Sequence, residues 1–228
     1  MSDGTLRVLV DLRDRQIQKA RIQFGNRLSA LDNGTDEAGP EQREMVERWA
    51  STFETMEKQL DRDIQIMVKR EPFFEELNSI KGIGPMYAAK LIALIDIERP
   101  PTASALWRYA GYAVIDGARE RRRKGETSHY NARLKTACFQ ITASFLMCGS
   151  PYCRVYHQAK DHYKQTHPDW TPKHLDYAAR GNMIKRFLAH LWERWRILEG
   201  LPLRPPYVKE YLGHTSIDRP QDYGWHSE

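Results

Sequence analysis

The chain has 228 residues, 41% of them hydrophobic, with 35 Lys+Arg against 30 Asp+Glu for a formal net charge of +5, and three cysteines. That length suits one large domain or a domain with an extension. The odd cysteine count, with no framework spacing, argues for a reducing compartment. No run approaches the ~18 apolar residues of a membrane span, and the opening MSDGTLRVLVDLRDRQ is too charged for a signal peptide, so a soluble cytoplasmic protein without a membrane partner is expected.

From Asp3 to Leu31 apolar residues recur at helical spacing with Arg and Asp between them, which predicts a long helix. DNGTDEAGP then breaks the pattern with Asn33-Gly34 and Gly39-Pro40, a turn. A second helix is predicted from Pro40 to Lys69, its apolar positions in steps of three and four. Residues 1–72 therefore read as a long antiparallel helical hairpin, coiled-coil-like, with Met45, Met56 and Met67 at an eleven-residue period as core or seam. Its single apolar stripe needs cover from the following domain or from a second copy, and a homodimer through the hairpin is expected.

Residues 73–200 read as short helices separated by RPPTAS, DGARERRRKGETSHY and THPDWTP, closed by a long helix from Lys173 to Glu199. Strand-like alternation is essentially absent, so the fold class is all-α. The Pro-rich segment 201–228 is expected to be extended or disordered. Charge is divided: residues 1–75 hold 12 Lys+Arg against 15 Asp+Glu, and residues 101–190 hold 15 against 6. A basic centre beside an acidic arm suggests a polyanionic partner for the centre.

Two stretches give that partner a shape. In ELNSIKGIGPMYAAKLIALI, Gly82 and Gly84 flank Ile83, and Pro85 occupies the first-turn position that Pro tolerates best. The glycines allow a tight turn and a close backbone approach. The first N–H groups of the new helix have no intrahelical acceptor and carry the positive end of the helix dipole, which suits a phosphate. The order apolar-x-Gly-apolar-Gly-x-x-x-Ala, ending at Ala88, resembles the helix-hairpin-helix motif; an ordinary helical turn without a ligand is the rival reading. Lys81, Gly82, Ile83 and Gly84 are the candidate contacts, and backbone contacts of this kind carry no sequence specificity. The second stretch holds Arg119, Arg121, Arg122, Arg123 and Lys124 between Gly117 and Gly125, followed by Arg133 and Lys135. A basic loop here predicts phosphate contacts and steep salt dependence, with Tyr109, Tyr112 and Tyr130 available for stacking.

Taken in order, LNSIKGIGPMYAAKLIALI, ASALWRYAGYAVIDG, RRRKGETSHYNARLK and AARGNMIKRFLAHLWE resemble the C-terminal domain of transposases of the insertion-sequence 110/116/902 family, and LVDLRDRQIQKARIQFGNRLSAL is similar to the coiled-coil segment of the same enzymes. The resemblance spans roughly Leu6 to Leu198. It implies DNA recombination and transposition by a mobile element, with a nucleoid-associated location, DNA as partner and, for some members, a structured guide RNA. It also implies an N-terminal RNase-H-like domain with an acidic metal site and a serine nucleophile in the C-terminal domain. This sequence departs from the pattern twice. It begins within the coiled-coil region, so the acidic domain is expected to be absent. Asp116-Gly117 stands where the family has Ser-Gly, and an aspartate does not replace a serine that must form and release a phosphodiester. Ser128 matches the later serine of the family's G-x-I-S-K-x-G-N block and reads as a DNA contact or cap; it is also the candidate rescue nucleophile, the catalytic residue being otherwise unknown. In the last helix Arg180, Lys185 and Arg186 read as DNA contacts, and Phe187, Leu191 and Trp192 as core.

Cys148, Cys153, His157 and His162 are spaced more widely than a usual zinc set, and Cys148 ends an apolar helix, where a buried thiol is ordinary. No metal site and no cofactor are expected. Three readings stay open: a nucleic-acid-binding module without autonomous catalysis, an active recombinase subunit whose acidic domain lies on another chain, and a helical assembly protein. The aspartate in the nucleophile position favours the first.

Overall fold

A computed structural model describes residues 4–115, 118–119, 125, 127–203 and 219–226. The fold is all-α, interrupted among the described residues by one two-residue antiparallel ladder. The chain divides into two compact units, Met1–Glu71 and Pro72–Glu228.

In the first unit α1 (Gly4–Leu12) runs through a π-helical turn (Arg13–Ile17) into α2 (Gln18–Asp32), and α3 (Pro40–Val68) returns. The turn between them uses Gly34 at φ +66°, and Gln42 Oε1 accepts from the Gly39 N–H at 3.2 Å as α3 begins. Partners along α2 and α3 run in opposite order, Arg13 with Asp61, Gln18 with Glu57, Phe24 with Phe53, Arg43 with Asp32, so the two helices are antiparallel. The seam is partly polar. Glu57 is buried and accepts from Gln18 Nε2 at 3.0 Å, from Arg13 at 2.8 Å and from Arg21. Arg13 lies in the π-helical turn, where the extra residue bulges the backbone, and it reaches Asp61 and Asp14 as well, each at 2.9 Å. Phe24, Trp49 and Phe53 stack beside this knot with centroids 5.6–6.5 Å apart.

The methionine stripe is not core in this chain. Met45 is 53% and Met56 44% exposed. Met56 follows from its neighbour: it sits one residue, about 100° of helical rotation, away from the seam residue Glu57.

The second unit contains α4 (Phe74–Asn78), α5 (Pro85–Leu94), α6 (Ala103–Tyr109), β1 (Val114–Ile115) paired with β2 (Ala118–Arg119), α7 (Ala132–Cys148), α8 (Cys153–Thr166) and α9 (Pro172–Leu198). Helix α9 is the axis of the unit and packs on α6, α7 and α8. It starts at the Thr171 cap, whose hydroxyl accepts from His174 N–H at 3.2 Å, with Pro172 in the first turn. From Ala178 to Trp195 it buries Met183, Ile184, Phe187, Leu188, Leu191 and Trp192; each such side chain stabilises the fold by about 1.5–3 kcal/mol. Its two buried arginines are both partnered, as burial requires. Arg194 grips Glu76 of α4 through Nη2 at 2.7 Å and Nε at 3.3 Å. Arg196 donates to the carbonyls of Ile97, Pro100 and Pro202.

The segment 201–228 is not wholly extended. Residues 204–218 lie outside the described residues, but Pro220–Tyr223 forms a 3-10 turn that seats Tyr223 and Trp225 in the core. Trp225 Nε1 donates to the Tyr152 hydroxyl at 2.7 Å, and that hydroxyl lies 2.8 Å from His190 Nδ1. Tyr223 packs on Tyr152 at 4.5 Å, and Trp225 on Phe73 and Phe187, each at 6.0 Å. Burial holds the Tyr152 hydroxyl well above its ordinary pKa despite the Trp225 hydrogen bond. Pro-rich composition pointed to an unfolded tail; two large aromatic rings supply enough apolar surface to order its end.

Candidate nucleic-acid interface

The Gly-x-Gly turn joins α4 to α5, and its two glycines do different work. Gly82 has φ +103°. A Cβ there would stand 2.8 Å from Phe145 and 2.9 Å from Cys148 Sγ, and its carbonyl accepts from Ser144 Oγ at 2.7 Å. Gly82 therefore lets the turn lie against α7 of the same chain, whereas the sequence suggested approach to another molecule. Gly84 is extended, φ −91° and ψ 174°, and exposed, and a Cβ at this position would meet nothing within 4 Å. It precedes Pro85 at the start of α5, where no side chain caps the helix, so the cap offers the first-turn N–H groups no side-chain acceptor. Lys81 beside it is exposed. Ile83 is 4% exposed and belongs with Ile80 and Ala88 to the core; it is not a surface contact.

Of the basic stretch, Asp116, Gly117, Arg121, Arg122, Arg123 and Lys124 lie outside the described residues. Its flank is a short ladder, with Val114 opposite Arg119 and Ile115 opposite Ala118, where the sequence suggested an irregular loop. Its return arm is pinned. Asn131 Oδ1 caps α7 by accepting from the Arg133 and Leu134 N–H groups at 3.0 and 3.2 Å; the cap is thus Asn131, and Ser128 is half-buried upstream of it. Asn131 also donates to Tyr109, through its N–H to the carbonyl at 2.8 Å and through Nδ2 to the hydroxyl at 2.9 Å, and that hydroxyl donates to the Leu94 carbonyl at 3.1 Å. Gly111, at φ +74°, packs so close that a Cβ would meet Tyr130 at 2.8 Å and Lys135 at 2.9 Å. Tyr112 is buried with its hydroxyl donating to the Lys135 carbonyl at 3.3 Å, so it is not a stacking surface. Lys135 Nζ lies 4.2 Å from the Tyr130 ring centroid, and Arg133 on the same turn of α7 is half-buried.

On α9, Arg180 is fixed by Asp176 at 2.8 Å and Thr142 at 3.2 Å, with its guanidinium 5.4 Å from the Phe139 ring. Burial raises the Asp176 carboxyl, but the Tyr156 hydroxyl at 2.7 Å, Arg180 and Lys160 outweigh it and hold the group below the usual carboxylate range. Lys185 Nζ sits 5.5 Å over Trp107, and Arg186 is half-buried. Phe187, Leu191 and Trp192 are buried, as the sequence suggested.

Two of the sequence-derived cations, Lys135 and Arg180, line one groove of about 300 Å³ with Tyr112, Thr136, Phe139, Tyr177 and Gly181. The residues of the Gly82–Gly84 turn are not part of that lining. Phe139 and Tyr177 were missed from sequence; each reads as one more apolar position on its helix, and only the pairing of α7 with α9 brings the two rings together. Cys148 and Cys153 both direct their thiols at the Phe145 carbonyl, at 3.6 and 3.1 Å. Among the described residues no group of three or more His, Cys, Asp or Glu is placed to hold a metal ion, and no helix is long and apolar enough to cross a membrane.

Comparison with the curated proteins gives no match. The part of the chain that contains the Gly-x-Gly turn, the basic stretch and α7 is another matter: residues 74–158 match the model of the Transposase IS116/IS110/IS902 family, the family the sequence blocks resemble.

Proposed function

We propose that this protein binds nucleic acid as a transposase-family module, gripping the DNA backbone through the α4–α5 turn in the manner of a helix-hairpin-helix and through the Arg119–Lys124 stretch, without autonomous catalysis. The observation that carries the reading is the open start of α5, uncapped at Gly84 with Lys81 beside it, inside the segment that matches the transposase family. An exposed helix N-terminus next to a lysine recognises phosphate by charge and by unpaired N–H groups. The absence of catalysis rests on Asp116 in the family's serine position. The hairpin fits pairing with a second copy, since Met45, Trp49 and Met56 all lie exposed on α3.

The test is binding of labelled duplex, branched DNA and structured RNA across a salt series, with Lys81→Glu and a variant carrying Arg121, Arg122 and Arg123 as alanine. Gly82 is a poor target because its substitution disturbs α7 packing; Lys81 is exposed. Wild-type affinity is expected to fall steeply with salt, and the slope of log K against log salt to shrink by about 1 for each phosphate-contacting cation removed. Equal, weak binding by wild type and both variants at low salt overturns the reading.

A further inference from the structure

The groove between α7 and α9 shares Lys135 with the return arm of the basic stretch but is built differently from it. Its walls are rings. Phe139 and Tyr177 pack side by side as a tilted pair, with centroids 5.7 Å apart and 30° between planes, and they remain 40% and 44% exposed. Two adjacent rings left this open leave aromatic surface available to a partner. Cations frame them: Lys173 Nζ lies 5.9 Å from the Tyr177 ring, Arg180 covers one side of Phe139, and Lys135 lies on the lining. No lining residue is acidic, and the carboxylate next to it on α9, Asp176, is occupied by Tyr156 and Arg180. Arg180 is therefore aimed by its neighbours and cannot swing away without breaking bonds to Asp176 and Thr142. The volume of about 300 Å³ is at the lower end of the range for small-ligand cavities, on the order of 300–1,000 Å³.

We propose that this groove holds an unpaired nucleotide of the bound nucleic acid, the base stacking on Phe139 and Tyr177 and the flanking phosphates meeting Lys135 and Lys173. A duplex offers its phosphates but keeps its base faces stacked; only an unpaired or extruded base presents a π-face to two protein rings. The inference rests on the nucleic-acid reading above and adds that a flipped or single-stranded base is the preferred feature.

The experiment compares a fully paired duplex, the same duplex with one unpaired 2-aminopurine, and the corresponding single strand. Wild type is expected to bind the last two more tightly than the first and to change the 2-aminopurine fluorescence. Phe139→Ala and Tyr177→Ala, both at exposed rings, are expected to weaken binding of the unpaired substrates about tenfold, to abolish the fluorescence change and to leave duplex affinity unchanged; Tyr177→Phe is expected to restore it. Equal effects of these variants on all three substrates, or no preference for the unpaired base, overturn the groove while leaving the backbone reading intact. Single-strand binding that survives Lys81→Glu and the triple arginine variant, with duplex binding absent in wild type, overturns the backbone reading instead. No binding to any substrate overturns both.

Discussion

The two units solve the problem of burying an apolar face in opposite ways. The second unit builds a dense aromatic centre in which Phe73 stacks on Trp195 at 4.7 Å, Phe145 on Tyr152 at 5.1 Å, and Tyr223 and Trp225 close the end. The hairpin buries smaller aliphatic side chains, Leu6, Val10, Ile17, Ile64 and Val68, and also puts a charged knot, Glu57 with Arg13 and Arg21, in its seam. A seam of hydrogen-bonded charges contributes little net stability, because desolvation offsets the Coulomb attraction, but it penalises any register that separates the partners. An aromatic core does the reverse: it contributes much energy and depends on shape. From this difference the larger share of stability is expected in the second unit, and the hairpin's charges are expected to set its register.

The largest effect that breaks this comparison is expected at the end of the chain. Trp225→Ala removes a nearly fully buried ring, together with the hydrogen bond to Tyr152, and is expected to cost the second unit about 3–5 kcal/mol. Guanidinium unfolding followed by near-ultraviolet circular dichroism measures it. A loss below about 1 kcal/mol would mean that the 219–226 segment is an ornament on a core that is complete without it.

Glu57→Gln is expected to act on the hairpin with a smaller effect, about 2 kcal/mol. It removes the charge that Arg13 and Arg21 face, and the partial exposure of Arg21 limits the penalty. Its more telling readout is register, followed by disulfide trapping between cysteines introduced at facing positions of α2 and α3. Wild type is expected to trap one register, and the variant several. A single trapped register in Glu57→Gln would show that Phe24, Trp49 and Phe53 align the helices unaided.

These expectations also mark what the sequence could convey. Helix ends came through well because local chemistry sets them: Pro40, Pro85 and Pro172 each stand in a first turn, and Asn33-Gly34 forms the hairpin turn. Period alone did not separate seam from flank, since Met45 and Met56 repeat as regularly as the residues that pack. The Gly82–Gly84 pair was legible as a turn, but the division of labour between them depends on Phe145 and Cys148, more than 60 residues away along the chain. The Phe139–Tyr177 groove and the seating of Trp225 are long-range in the same sense. Local signals fix elements; which faces meet is decided by the tertiary fold.

The smallest expected effect lies at the groove's edge and concerns acid. Asp176 is held below the ordinary carboxylate range in the folded protein, so it binds a proton less readily there than in the unfolded chain. Its contribution to stability is present above the unfolded value of about 3.9 and is lost as pH falls through the lower folded value. Asp176→Asn keeps a group able to accept from Tyr156 but removes the charge facing Arg180. The variant is therefore expected to be less stable than wild type at neutral pH, with the two unfolding free energies converging below about pH 4. Partial exposure of both side chains keeps the difference small. Curves that stay parallel down to low pH would place the value of Asp176 in its hydrogen bonds to Tyr156 and Arg180 and not in its charge. In that event the aim of Arg180 at Phe139 would persist in acid, and the groove would keep its shape where the second unit begins to lose stability.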